Sequence, residues 1–126
     1  MTAGVTFDAG GLIALDRDDR QVIVLLARAA EASAGVTVPA SALAQAIRQP
    51  ERQARLARLI RQPTTDIVPL SRVDATSIGR LLATSGTADI VDAHVVVCAQ
   101  RSSQQVITAD PDDLRHLDPH LDVVTV

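Results

Sequence analysis

Val106-Ile107-Thr108-Ala109-Asp110-Pro111-Asp112-Asp113-Leu114 runs from a β-branched strand through an aspartate into a helix start with proline at its first position. The same grammar opens the chain, where Val5-Thr6-Phe7 is followed directly by Asp8 and by Gly10-Gly11, which allow a tight exit into a short helix at 12–15. Working outward, further β-branched runs fall at Val36-Thr37-Val38, Ile67-Val68 and Val123-Val124-Thr125-Val126. Helical patterns separate them: 21–32 with Asp18 or Asp19 as its cap, 40–48 between Pro39 and Pro50, 51–61, 73–84 ended by Gly86, 90–101 preceded by Thr87 as cap, and 111–117 after Asp110. Strands alternating with helices predict an α/β fold of three layers, α/β/α, around a central parallel sheet of four to five strands. At 126 residues the chain has room for one domain, spanning 1–126.

The two strand-end aspartates decide the strand order. Ligands of open α/β sheets bind beyond the carboxyl ends of the strands, where the strand order reverses. If the first and fourth strands are neighbours there, Asp8 and Asp110 face one another. Either aspartate alone reads more simply as a turn or cap residue. A third stretch, Ala88-Asp89-Ile90-Val91-Asp92-Ala93-His94-Val95-Val96-Val97-Cys98-Ala99, shifts the balance, because it is apolar on most faces and therefore predicts a buried helix. Asp89 suits a helix N-terminus, whereas Asp92 lies inside the helix, and a buried carboxylate costs several kcal/mol unless neutralised, hydrogen-bonded or metal-bound. Carboxylates converging in this way repel one another unless a cation sits between them. Hard oxygen donors without a cysteine or histidine cluster point to Mg2+ or Mn2+, and such ions promote phosphodiester hydrolysis.

Composition narrows the function further. Phe7 is the single aromatic residue, so base stacking on aromatic platforms cannot be the means of holding a nucleic acid. Every basic residue is arginine, and the formal net charge is −3, which argues against a broad basic surface. The lack of lysine excludes a response-regulator receiver and a P-loop nucleotide binder, and no G-x-S-x-G elbow marks a serine hydrolase. Cys98 sits in an apolar run and reads as packing, and His94, pointing away from Asp92, reads as a core histidine. His116 and His120 read as surface residues. Arg55, Arg58 and Arg61 lie opposite Leu56, Leu59 and Ile60 at helical spacing, which reads first as a solvated face and second as a strip guiding RNA. No stretch reaches the length of a membrane span, no leader pattern opens the chain, and the cytoplasm is the expected location.

In these three motifs, Val5-Thr6-Phe7-Asp8-Ala9-Gly10, Thr87-Ala88-Asp89-Ile90-Val91-Asp92-Ala93-His94 and 106–114, the chain resembles the PIN-domain family, in the right order and over nearly its whole length. The resemblance implies metal binding by Asp8, Asp92 and Asp110, with Asp89 and Asp113 as accessory carboxylates and Thr108 hydrogen-bonding at the site. It further implies a VapC-type toxin of a type II toxin–antitoxin pair: a homodimeric Mg2+- or Mn2+-dependent endoribonuclease with an RNA substrate and a small antitoxin partner. The sequence departs from the family at Gln45, which occupies the place of a glutamate in 38–45. A neutral amide offers a carbonyl oxygen but no charge. Metal affinity should fall, or Asp89 should compensate. The competing reading is a catalytically degenerate PIN domain that binds RNA or protein.

Overall fold

The computed structural model describes residues 4–126. The chain runs β1 (Val5–Phe7), α1 (Ala9–Asp16), α2 (Arg20–Glu31), β2 (Val36–Pro39), α3 (Ala40–Ala46), α4 (Ala54–Ile60), β3 (Thr65–Val68), α5 (Arg72–Ser85), α6 (Ile90–Ser102), β4 (Gln105–Thr108), α7 (Pro111–Leu117) and β5 (Val123–Thr125). The strands form one five-stranded sheet in the order β3-β2-β1-β4-β5, with every pairing parallel. From β1 the chain steps outward through β2 to β3, then crosses back to lay β4 on the other side of β1. The order therefore reverses between β1 and β4, where Phe7 pairs with Ile107. The expected adjacency of the first and fourth strands holds.

Right-handed crossovers in opposite directions place the intervening helices on opposite faces of the sheet. Accordingly α1 packs with α2 and α4, and α5, α6 and α7 pack with one another, while α3 touches both α1 and α6. The core between these layers is aliphatic around the single buried aromatic Phe7, with Leu12, Val38, Val95, Val96, Ile107 and Leu114 also fully buried. Helix α6 is the central element. Ala93–Val96, Cys98 and Ala99 are buried, as its apolar faces predict.

Four expectations need correction. Gly10 and Gly11 do not lead into a helix at 12; they lie within α1, which starts at Ala9. A Cβ at Gly11 would run into the Ile107 carbonyl, so this glycine lets α1 sit against β4. The helix expected over 51–61 is broken into a 3-10 turn, Pro50–Arg52, and α4. The cause is Gln53, which turns inward and is only 7% exposed. Its Oε1 accepts from the Arg48 and Gln49 amides at 2.9 and 3.2 Å, and its Nε2 donates to the Ala46 carbonyl at 2.9 Å. Helix α6 is capped by Asp89 rather than Thr87, whose hydroxyl instead lies 3.0 Å from that of Ser85. Asp110 occupies the N-cap position of α7 without making a side-chain cap hydrogen bond. Elsewhere the caps agree: Asp19 accepts from Gln21 and Val22 at the start of α2, and Gly86 ends α5 with φ 71°. Among the described residues no single helix is long and apolar enough to cross a membrane.

Candidate active site

The end of β1 delivers Asp8 to the switch point. Its amide donates to the Ile107 carbonyl of β4 at 3.2 Å, and its Oδ1 accepts from the Gly11 amide at 2.7 Å. The turn that makes Asp8 a helix cap thus also fixes its carboxylate at the mouth of β1 and β4. Thr108, wholly buried at the end of β4, joins the two aspartates. Its hydroxyl accepts from the Asp110 amide at 2.9 Å and hydrogen-bonds the Asp8 carboxylate. Burial pushes the Asp8 carboxyl above the usual carboxylate range, the Thr108 and Gly11 hydrogen bonds oppose that, and the charge of Asp110 adds to it.

Helix α6 brings the second pair. Asp89 caps it, accepting from the Asp92 amide at 3.0 Å, and Asp92 follows one turn in, half-buried rather than enclosed. Burial pushes the Asp92 carboxyl up to about 7, reinforced in order by the charges of Asp89, Asp113, Asp8 and Asp110. Asp113, one turn into α7, hydrogen-bonds the Asp110 side chain and is raised by that neighbour's charge. Five carboxylates from four elements therefore sense one another across the switch point.

The chemistry of this donor set fits a hard divalent cation: oxygen ligands, mutual repulsion to relieve, and no thiolate or imidazole among them. Yet among the described residues no three acidic, histidine or cysteine side chains are gathered into a ready coordination shell.

Other residues fall elsewhere. Gln45 is exposed on α3, a helix packed between α1 and α6, and makes no side-chain hydrogen bond among the described residues. The arginine strip does not reach the carboxylates. Arg55 pairs with Asp18 at 3.2 Å, and Arg55 and Arg58 line an apolar groove of about 480 Å3 beside Val36, Thr64 and Thr65. Those residues begin β2 and β3, at the edge of the sheet away from Asp8 and Asp110. Arg61, which caps the end of α4, precedes β3 at that same edge. His116 and His120 are exposed, and Cys98 is buried with its thiol pushed up to about 11.

Behind the site runs a buried polar chain built on His94, the core histidine expected from the sequence, whose partner Asp74 had no sequence signal. His94 is wholly buried, with Nδ1 2.6 Å from the Ser41 hydroxyl. Its Nε2 faces Asp74 Oδ2 at 3.6 Å, too long for a hydrogen bond. Asp74, 1% exposed, pairs through its other oxygen with Arg101. Burial lowers the His94 pKa against the pull of Asp74, so the imidazole is neutral at pH 7 and the contact is not an ion pair there. This chain ties α3 and α5 to the helix that carries Asp92.

Comparison with known proteins matches residues 5–118 to the PIN domain. The chain belongs to the PIN-domain family. The match starts at β1 and ends just beyond α7, so it takes in all five carboxylates. No curated protein matches the chain. Among solved structures, this PIN domain shares its fold with VapBC2 from Rickettsia felis bound to a DNA fragment from the promoter, at 12% identity and a TM-score of 0.66, over 97% of this chain and 98% of that one. FitAB bound to the IR36 DNA fragment follows at 13% identity and 0.63, over 96% and 94%. FitAcB from Neisseria gonorrhoeae stands at 17% identity and 0.62, over 96% of each chain.

Proposed function

We propose that this PIN domain is a divalent-metal-dependent endoribonuclease, the toxin of a toxin–antitoxin pair. The observation that carries the reading is the state of Asp92. A half-buried carboxyl raised to about 7, first by burial and then by the charges of four surrounding carboxylates, carries a penalty that a bound cation would relieve. Asp8, Asp92 and Asp110 would hold Mg2+ or Mn2+, with Asp89 and Asp113 adding charge around them. When bound, such an ion supplies Lewis acidity toward a phosphodiester and lowers the pKa of a water. The chain's own residues do the rest. Thr108 fixes Asp8 relative to Asp110 through its two hydrogen bonds, and a bound cation would relieve the repulsion between Asp110 and Asp113.

VapBC and FitAB assemblies are toxin–antitoxin complexes, which supports a small antitoxin as the partner of this chain; RNA as its substrate is part of the proposal. Self-association into a homodimer is part of the same proposal, and light scattering at high concentration checks it: a monomer refutes it. The nuclease itself is tested by cleavage of a mixed-sequence fluorogenic RNA with Mg2+ or Mn2+. Wild-type protein should cleave, and Asp8→Asn, Asp92→Asn and Asp110→Asn should each lose cleavage. One observation favours a degenerate binding module instead, namely that Gln45 brings no charge to α3. That second reading wins if wild-type protein never cleaves while Gln45→Glu does.

A further inference from the structure

A second pocket, of about 390 Å3, lies where the end of α1 meets the loop that follows α3, and Arg17, Arg48 and Arg52 stand around it. Their guanidinium groups have no ion pair among the described residues, whereas Arg55 and Arg101 are both paired with aspartates. We propose that Arg17, Arg48 and Arg52 bind the phosphate backbone of single-stranded RNA next to the cleavage site. The proposal rests on the ribonuclease reading above and adds where the strand is held.

Four observations converge on it. Six of the eight residues lining the pocket are polar or charged, with Asp16, Gln49 and Gln53 beside the arginines, so it suits a hydrated polyanion better than a protein helix. Asp16 is the one carboxylate among its lining residues, leaving the guanidinium groups in excess. The backbone of the loop that carries Arg48 and Arg52 is also held in place. Buried Gln53 staples the loop through Arg48, Gln49 and Ala46, which reduces the ordering cost of binding. The placement relative to the carboxylates is short. Asp8 caps the start of α1 and Arg17 its end, and eight helical residues span only about 12 Å. Ala46, adjacent to Gln45, lines the pocket on the α3 side. Finally, the chain needs such a site. It carries a net charge of −3, an acidic cluster that repels phosphate, and one aromatic residue, which is buried. A single strand must then be held by charge, and guanidinium forks bind phosphate bidentately.

The test is fluorescence anisotropy with a labelled 2′-O-methyl RNA of about ten nucleotides, a length suited to single-strand sites. EDTA removes the metal that the proposed hydrolysis needs, and the 2′-O-methyl groups block strand scission by a 2′-hydroxyl, so binding is read apart from catalysis. Arg48→Gln/Arg52→Gln is compared with the charge-matched Arg58→Gln/Arg61→Gln, and Arg17→Gln with wild type. We expect the first double variant to lose at least about tenfold in affinity and its salt slope to fall by about 0.7 for each phosphate contact removed. Arg17→Gln should lose part of that, the Arg58/Arg61 variant should stay near wild type, and Arg48→Lys/Arg52→Lys should keep most of the salt slope. Equal losses in the two double variants, or no binding by wild type, overturn the proposal. So does a polyglutamate peptide that competes as well as RNA, since the pocket would then take acidic protein. Metal-dependent cleavage with binding unchanged in Arg48→Gln/Arg52→Gln sinks this proposal alone. Loss of binding in that variant without cleavage by any form sinks only the nuclease.

Discussion

Replacing Asp92 with Asn should stabilise the metal-free protein, although it removes a residue proposed to be essential. Asp92 is raised from 3.8 to about 7 in the folded chain. At about 1.4 kcal/mol per pH unit, that rise sets a ceiling of about 4 kcal/mol on the repulsion and desolvation stored there. Asp92 is only half-buried, and solvent screens it, so about 1–2 kcal/mol is the usable figure. For a chain of this length that corresponds to roughly 4–8 °C in melting temperature. The pH dependence has a definite sign. Between about pH 4 and 7 the folded protein keeps a proton that the unfolded chain has released, so stability falls as pH rises through that window. Above about 7 both states have lost it and the full penalty remains. Asp92→Asn should therefore melt higher than wild type in EDTA at about pH 8, and the gap should shrink towards pH 4. Asp8 is raised as well, so a weaker slope of the same sign should persist in the variant. Millimolar Mg2+ or Mn2+ should raise the wild-type melting temperature, as any ligand of the folded state does, and raise that of the variant less. An Asp92→Asn protein that melts no higher than wild type in EDTA at about pH 8 would show that the carboxylates do not repel one another as described.

Other perturbations probe the parts separately. Gln45→Glu should tighten Mn2+ binding, read by calorimetry, by adding a formal charge on α3; unchanged affinity would place residue 45 outside the metal's reach. Asp74→Ala should cost about 1–3 kcal/mol in urea unfolding, below the usual figure for a broken buried pair because Arg101 is half-exposed and can be solvated. A loss under about 0.5 kcal/mol would show that the buried chain from Ser41 to Arg101 is not a structural tie. Gly11→Ala should destabilise by about 1–3 kcal/mol, because its Cβ meets the Ile107 carbonyl. It should also weaken metal binding by shifting the amide that holds Asp8.

The parts of the molecule that sequence reading reaches are those where a local pattern and a chemical need point to the same place. Val5–Asp8 and Val106–Asp110 each read as a strand ending in an aspartate. Only the demand that the two carboxylates meet turned them into neighbouring strands, as the pairing of Phe7 with Ile107 has it. Helix α6 was visible because its apolar residues cover most faces. Asp74 was not, because an acid in the first turn of a helix reads as a surface residue favoured by the dipole, and its partners His94 and Arg101 are 20 and 27 positions away. Gln53 escaped for the same reason: a glutamine within an arginine-rich amphipathic stretch has no local mark of burial. Topology, by contrast, holds information about the arginines that periodicity lacks. Arg61 lies just before β3, so it must sit where strands begin, while ligands of such sheets gather where strands end. Arg17 closes, and Arg48 follows directly after, the short helices that leave the ends of β1 and β2, and neither helix exceeds eight residues. Helical spacing groups Arg55, Arg58 and Arg61 on one face, read first as solvated and second as an RNA strip; the order of strands and helices favours Arg17, Arg48 and Arg52. In a parallel α/β sheet the second criterion is the stronger, because it fixes the edge of the sheet at which a side chain can act.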